Sequence, residues 1–262
     1  MTRIADTFKT LNRPALITFM TAGYPDLETS ARILDTLATS GSDIIEIGVP
    51  FTDPMADGEI IQQSSFHAVE NGTNISDILN MVRVFRETHD TPIVLMGYAN
   101  PVFAYGMESF AHDAAAAGVD GVIMVDLPPE ESAEFLPYAT KSGLDFIRLV
   151  TPTTDSERLQ VITEGASGFL YYVSITGVTG AAKPDPAIIK ERLDEIRSHT
   201  DLPLAVGFGI KTPEDASAMG AIADGVIVGS SLVQTITDHA SDTDLLNKVA
   251  AQVQGLRGAL KP

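Results

Sequence analysis

The chain has 262 residues, 44% of them hydrophobic, which is enough for a large core and within the size of one (β/α) barrel. Thirty-five acidic against 17 basic residues give a formal charge of −18, which argues against a nucleic-acid partner, because such binding needs clustered Lys and Arg. The absence of cysteine excludes disulfides, thiol chemistry and thiolate zinc sites. No apolar run reaches the roughly 18 residues of a membrane helix, and Met1–Pro14 lacks the apolar core of a signal peptide, so a cytoplasmic protein is expected.

In chain order, eight short apolar runs rich in β-branched residues read as strands. They are ALITFM from Ala15, DIIEIG from Asp43, PIVLMG from Pro92, GVIMVD from Gly121, LDFIRLV from Leu144, GFLYYV from Gly168, PLAVGF from Pro203 and DGVIVG from Asp224. Most lack polar alternation, as strands buried on both faces do. Helical spacing fills many of the gaps: Leu27 to Ser40, Met107 to Ala117, Glu130 to Lys141 and Ser156 to Glu164. Each is followed by a glycine suited to helix closure, namely Gly41, Gly118, Gly143 and Gly165. Asn74 to Glu87 predicts a further helix between the second and third strands. Ile4 to Leu11 and Asp244 to Leu260 predict additions at the two ends. With no Pro- or Ser-rich linker, the pattern predicts one domain over 1–262, a (β/α)8 TIM barrel with extra N- and C-terminal helices. A doubly wound open sheet is the competing arrangement.

Barrel chemistry sits at strand C-termini. There, IEIGVPFTDPMADG (Ile45 to Gly58) puts a carboxylate, Glu46, inside an apolar run and a second, Asp57, in the following loop. Glu46 faces either the barrel mouth, where burial would bring its pKa toward neutrality, or a buried ionic partner; no Lys or Arg lies between Ile33 and Arg83. Asp57 precedes Gly58, so it reads as a turn residue or as the second carboxylate of the site, and Asp53 before Pro54 reads as turn chemistry. YYVSITGVTGAAKP (Tyr171 to Pro184) offers Gly177 and Gly180 for close approach to an anion.

VGFGI (Val206 to Ile210) and VGSS (Val228 to Ser231) follow strands seven and eight, where barrels often hold a phosphate at the start of a short helix. Gly207, Gly209 and Gly229 would let the backbone approach, and Ser230 would add a hydroxyl. There is no Walker or GxGxxG pattern, so no nucleotide is implied. The five histidines (His67, His89, His112, His199, His239) show no metal-ligand spacing. No lysine lies within a strand run, which favours carboxylate acid–base chemistry over a Schiff base.

Together, IEIGVPFTDPMADG, MGYANPV, VDLPPEES, SITGVTG, VGFGI and VGSS, in that order along the whole chain, resemble the α subunit of tryptophan synthase. The lack of Trp suits an enzyme made when tryptophan is scarce. The resemblance implies a lyase that cleaves indole-3-glycerol phosphate by a retro-aldol reaction to indole and glyceraldehyde 3-phosphate. It implies Glu46 as the acid/base and Asp57 as the carboxylate facing the indole nitrogen. Phe19 and Tyr171 would wall the indole pocket, and Thr179 would hydrogen-bond Asp57 across two loops. Gly180, Gly209, Gly229 and Ser230 would hold the phosphate.

The same resemblance implies no metal or cofactor in this chain. The partner would be a β subunit carrying pyridoxal phosphate, in an α2β2 heterotetramer, receiving the indole through a tunnel and coupled by loops two and six. Nucleic acid and membrane are not implied. Departures are few: Ile175 stands where some relatives have Arg, and Thr52 and Met55 stand for Ser and Leu. Another phosphate-binding barrel, such as a sugar-phosphate isomerase or epimerase, and a non-catalytic activator of a β subunit are the alternative readings.

Overall fold

Among the described residues nine strands, all parallel, form a single sheet: β1 Ala15–Thr21, β2 Ile44–Gly48, β3 Ile93–Gly97, β4 Gly121–Met124, β5 Asp145–Phe146, β6 Arg148–Val150, β7 Leu170–Val173, β8 Leu204–Gly207 and β9 Gly225–Val228. The structure is a computed structural model that describes residues 2–174, 185–207 and 209–262. The strand order is β5-β4-β3-β2-β1-β9-β8-β7-β6. β5 and β6 are the two halves of the expected fifth strand, parted at Ile147, whose N–H donates to Val122 O at 3.0 Å. β5 pairs with β4 and β6 with β7, so the ends of the sheet meet within one strand and the barrel closes. This is the predicted (β/α)8 TIM barrel, not an open sheet.

Helices Leu27–Ser40 and Met107–Ala117 occupy the predicted spans, closed by Gly41 at φ +111° and Gly118 at φ +96°, a left-handed conformation that side-chain-bearing residues avoid. Asn74 caps Ile75–Phe85, accepting from the Ser76 and Asp77 N–H groups, and the end helices run over Arg3–Thr10 and Leu245–Ala259. The helix expected over Glu130 to Lys141 is instead a 3-10 turn, Pro129–Glu134, followed by a helix at Leu136–Ser142. Pro137 explains the break. It has no N–H and its ring clashes with the carbonyl four residues back, so a helix can start there but not run through.

The barrel interior is a layered core of Ile17, Ile44, Val94, Ile123, Ile147 and Phe169. The N-terminal helix closes its floor with Ile4 and Phe8; the Phe8 ring sits 5.8 Å from that of Phe169. Outward-facing residues such as Leu16, Met20, Ile45 and Ile47 pack beneath the helices. A carboxylate precedes three of the strands at the barrel base. Asp43 accepts from Leu16 N (2.7 Å), Asp120 from Ile93 N (2.8 Å) and Asp224 from Leu204 N (2.8 Å). Arg13 adds two bonds to Asp43 (2.7 and 2.8 Å), and Arg86 one to Asp120 (2.5 Å). The base is thus pinned by charge-assisted hydrogen bonds, and the other end carries the site.

Candidate active site

β2 alternates between its two faces, so Glu46 points into the barrel while Ile45 and Ile47 point to the helices. It opens into a cavity of about 180 Å³ at the C-terminal mouth, which Asp57, Phe19, Tyr171, Gly209, Gly229 and Ser230 also line. Met96, Val125, Leu149 and Ile227, inward residues near the ends of their strands, make the remaining wall largely apolar.

Glu46 is fully buried, and neither of its carboxylate oxygens has a hydrogen-bond partner among the described residues. The ionic partner that the sequence left open is therefore not present among them. Loss of hydration, uncompensated by any donor, raises its pKa to about 8. Asp57 is half-buried; burial pushes its pKa up to about 6, and a hydrogen bond donated by the Tyr98 hydroxyl (3.0 Å) pulls it back. At neutral pH, then, the cavity holds one protonated and one ionised carboxyl. Tyr171 is buried beside both, and desolvation together with their negative charge raises its pKa well above normal, so it stays neutral.

The loop that carries Asp57 is tied to the helix after it, Glu59–Glu70. Phe51 N donates to Ser65 Oγ (2.9 Å), and Gln62 Nε2 donates to the Asp57 carbonyl (2.8 Å). Asp53 accepts from Thr52 Oγ1 (2.6 Å), in keeping with a turn role.

The glycines at the mouth divide by function. A Cβ on Gly207 would come within 2.4 Å of the Tyr171 hydroxyl oxygen, and one on Gly48 within 2.5 Å of Phe19 Cζ. Both positions make room for an aromatic ring. The sequence reading took Gly207 as an approach point for an anion; what the structure places against it is the Tyr171 ring. Gly209 has φ +81°, and Gly229 caps the helix Ser230–Asp238 without any side-chain hydrogen bond. The first N–H groups of that helix point outward at the cavity's end, the arrangement that favours an anion.

Thr179, Gly180, Gly177 and Ile175 lie outside the described residues. Sequence reasoning passed over Tyr98, whose signal was its place in MGYANPV directly after a strand. It also passed over Gly48. Among the described residues no group of three or more His, Asp or Glu side chains is placed to hold a metal ion, and no helix is long and apolar enough to cross a membrane.

The family model described as Tryptophan synthase alpha chain matches residues 6–261. The chain belongs to the tryptophan synthase alpha-chain family. Tryptophan synthase alpha chains are lyases that cleave indole-3-glycerol phosphate in tryptophan biosynthesis. The solved tryptophan synthase subunit alpha from Legionella pneumophila str. Paris superposes with TM-score 0.92 at 40% identity, over 99% of this chain and 98% of that one. The aminoacrylate-bound form of tryptophan synthase from M. tuberculosis gives TM-score 0.89 at 34% identity, over the whole of both chains. A structure from Aquifex aeolicus VF5 gives 0.91 at 37% identity, again with full coverage of both.

Proposed function

We infer that Glu46 and Asp57 carry the cleavage of indole-3-glycerol phosphate in this chain, Glu46 as acid and base and Asp57 as the counter-charge. The observation that carries this reading is a buried, unpartnered Glu46 sharing one cavity with Asp57.

The chemistry needs a proton on indole C3 and the loss of one from the side-chain hydroxyl next to it. Protonated at neutral pH, Glu46 delivers the first. The resulting carboxylate takes the second as the hydroxyl becomes an aldehyde and the C3–carbon bond breaks, so its protonation state is restored. Between these steps the ring nitrogen is positive, and ionised Asp57 stabilises it in an apolar pocket. Phe19 and Tyr171 flank the indole. The phosphate rests on Gly209, Gly229 and the N–H groups at Ser230, and holds the substrate in register. Neither step needs a metal or cofactor.

Indole then passes to a β subunit carrying pyridoxal phosphate in an α2β2 assembly. The full-length match to tryptophan synthase of M. tuberculosis supports that assembly. A cytoplasmic location fits a biosynthetic enzyme of this kind.

The direct test follows glyceraldehyde 3-phosphate formed from indole-3-glycerol phosphate, with and without a β subunit. Cleavage in both conditions, faster with the partner, is the expected result; no cleavage in either overturns the reading. For the phosphate site, Gly209→Val forces a branched residue into a left-handed conformation, at a cost of ~1–2 kcal/mol. Calorimetry should show glycerol phosphate binding weakened roughly tenfold. Unchanged affinity would place the anion elsewhere.

A further inference from the structure

Asp57 is held from outside its own loop. The Tyr98 hydroxyl accepts from Ala56 N (2.9 Å) and donates to Asp57 Oδ2 (3.0 Å), so one oxygen fixes both the loop backbone and the carboxylate. Tyr98 is itself buried, with its ring 5.3 Å from that of Phe51. The next residue is tied down as well: Ala99 N donates to Asp126 Oδ1 (2.8 Å), where Asp126 lies two residues beyond β4. Three consecutive mouth loops, after β2, β3 and β4, are thereby joined in one hydrogen-bonded line ending on Asp57.

We propose that Tyr98 and Asp126 are positioning residues for the cleavage reaction, Tyr98 orienting the Asp57 carboxylate and Asp126 seating Tyr98 through the Ala99 N–H. This rests on the role inferred above for Asp57. A phenol donates only to an available lone pair, and its bond favours the ionised carboxylate that faces the positive ring nitrogen. The titratable groups facing Asp57 are Tyr98 from the loop after β3, Tyr171 from β7 and Glu46 from β2; Asp126 faces Tyr98. Tyr98 is the member of this set whose hydrogen bond favours the charge on Asp57.

The experiment is the pH dependence of kcat/KM for indole-3-glycerol phosphate in wild type, Tyr98→Phe, Asp126→Ala, Asp126→Asn and Asp57→Asn. Tyr98→Phe keeps the ring against Phe51 and removes only the hydroxyl. Its acid limb should move up by about one pH unit, a loss of roughly fivefold near pH 6 that fades toward parity at pH 8. Asp126→Ala should move the same limb in the same direction. Asp126→Asn keeps an oxygen for Ala99 N and should restore the wild-type limb. A residue needed only for folding would lower activity equally at every pH. An acid limb that stays put in Tyr98→Phe or in Asp126→Ala overturns the proposal. Asp57→Asn separately checks the role it rests on, since that variant must lose the acid limb altogether.

Discussion

Glu46→Gln is expected to lower turnover by about 10²–10⁴-fold while leaving glycerol phosphate affinity and the fold intact. Glutamine matches the shape of the protonated carboxyl that fills this position at neutral pH, yet it can neither give up a proton nor take one. The wild-type pH profile should be bell-shaped. Turnover rises as Asp57 ionises near pH 6 and falls as Glu46 loses its proton near pH 8; Glu46→Gln should lose the alkaline limb. Stability carries the same signature. The native pKa of about 8 lies above the ordinary 4.5, so between those values the folded chain holds a proton that the unfolded chain has released. Stability conferred by this group is therefore complete below about 4.5 and is lost as pH rises through about 8, by at most about 1.4 kcal/mol per pH unit. Urea unfolding of Glu46→Gln should lack that decline. Turnover near wild type would remove Glu46 from the mechanism.

Asp120→Ala, at the opposite end of the barrel, should destabilise by ~3–5 kcal/mol without altering the site. Asp120 is 6% exposed and receives Arg86 at 2.5 Å, Arg3 at 2.9 Å and the Ile93 N–H at 2.8 Å. Its removal leaves the mostly buried Arg86 without its counter-ion and a strand N–H without an acceptor. Arg3→Ala is the contrast. That side chain is 46% exposed, so its loss should cost ~1 kcal/mol or less. The measurement is the urea midpoint at constant slope. A shift as small for Asp120→Ala as for Arg3→Ala would mean the base carboxylate is not the anchor described.

The strands and two carboxylates were legible because their signals are local. The apolar run IIEIG, Ile44–Gly48, announces a buried strand and exposes Glu46 as its one charge, and Gly41 and Gly118 end their helices where they stand in the chain. What escaped depends on neighbours distant in sequence. Helix Glu59–Glu70 buries Ser64, Ser65 and Ala68, small or polar residues that leave little hydrophobic periodicity to detect. The role of Gly207 is set by a ring on the adjoining strand, 36 positions earlier at Tyr171. Tyr98 meets Asp57 across 41 positions. The parting of β5 and β6 at Ile147 is a matter of which strand each half faces, and no composition encodes it.

The glycines under the two aromatic rings bear on which indoles this barrel can be taught to accept. At Gly48 and Gly207 the rings of Phe19 and Tyr171 already rest against main chain. Neither ring can retreat, because there is no side chain behind it to trim. Libraries aimed at bulkier ring substituents therefore gain nothing from these two glycines. They should draw on Met96, Val125 and Leu149, where a shorter side chain leaves real space in the wall. Substituents on the indole edge facing those three residues should be the first to be accepted, and those facing Phe19 or Tyr171 the last.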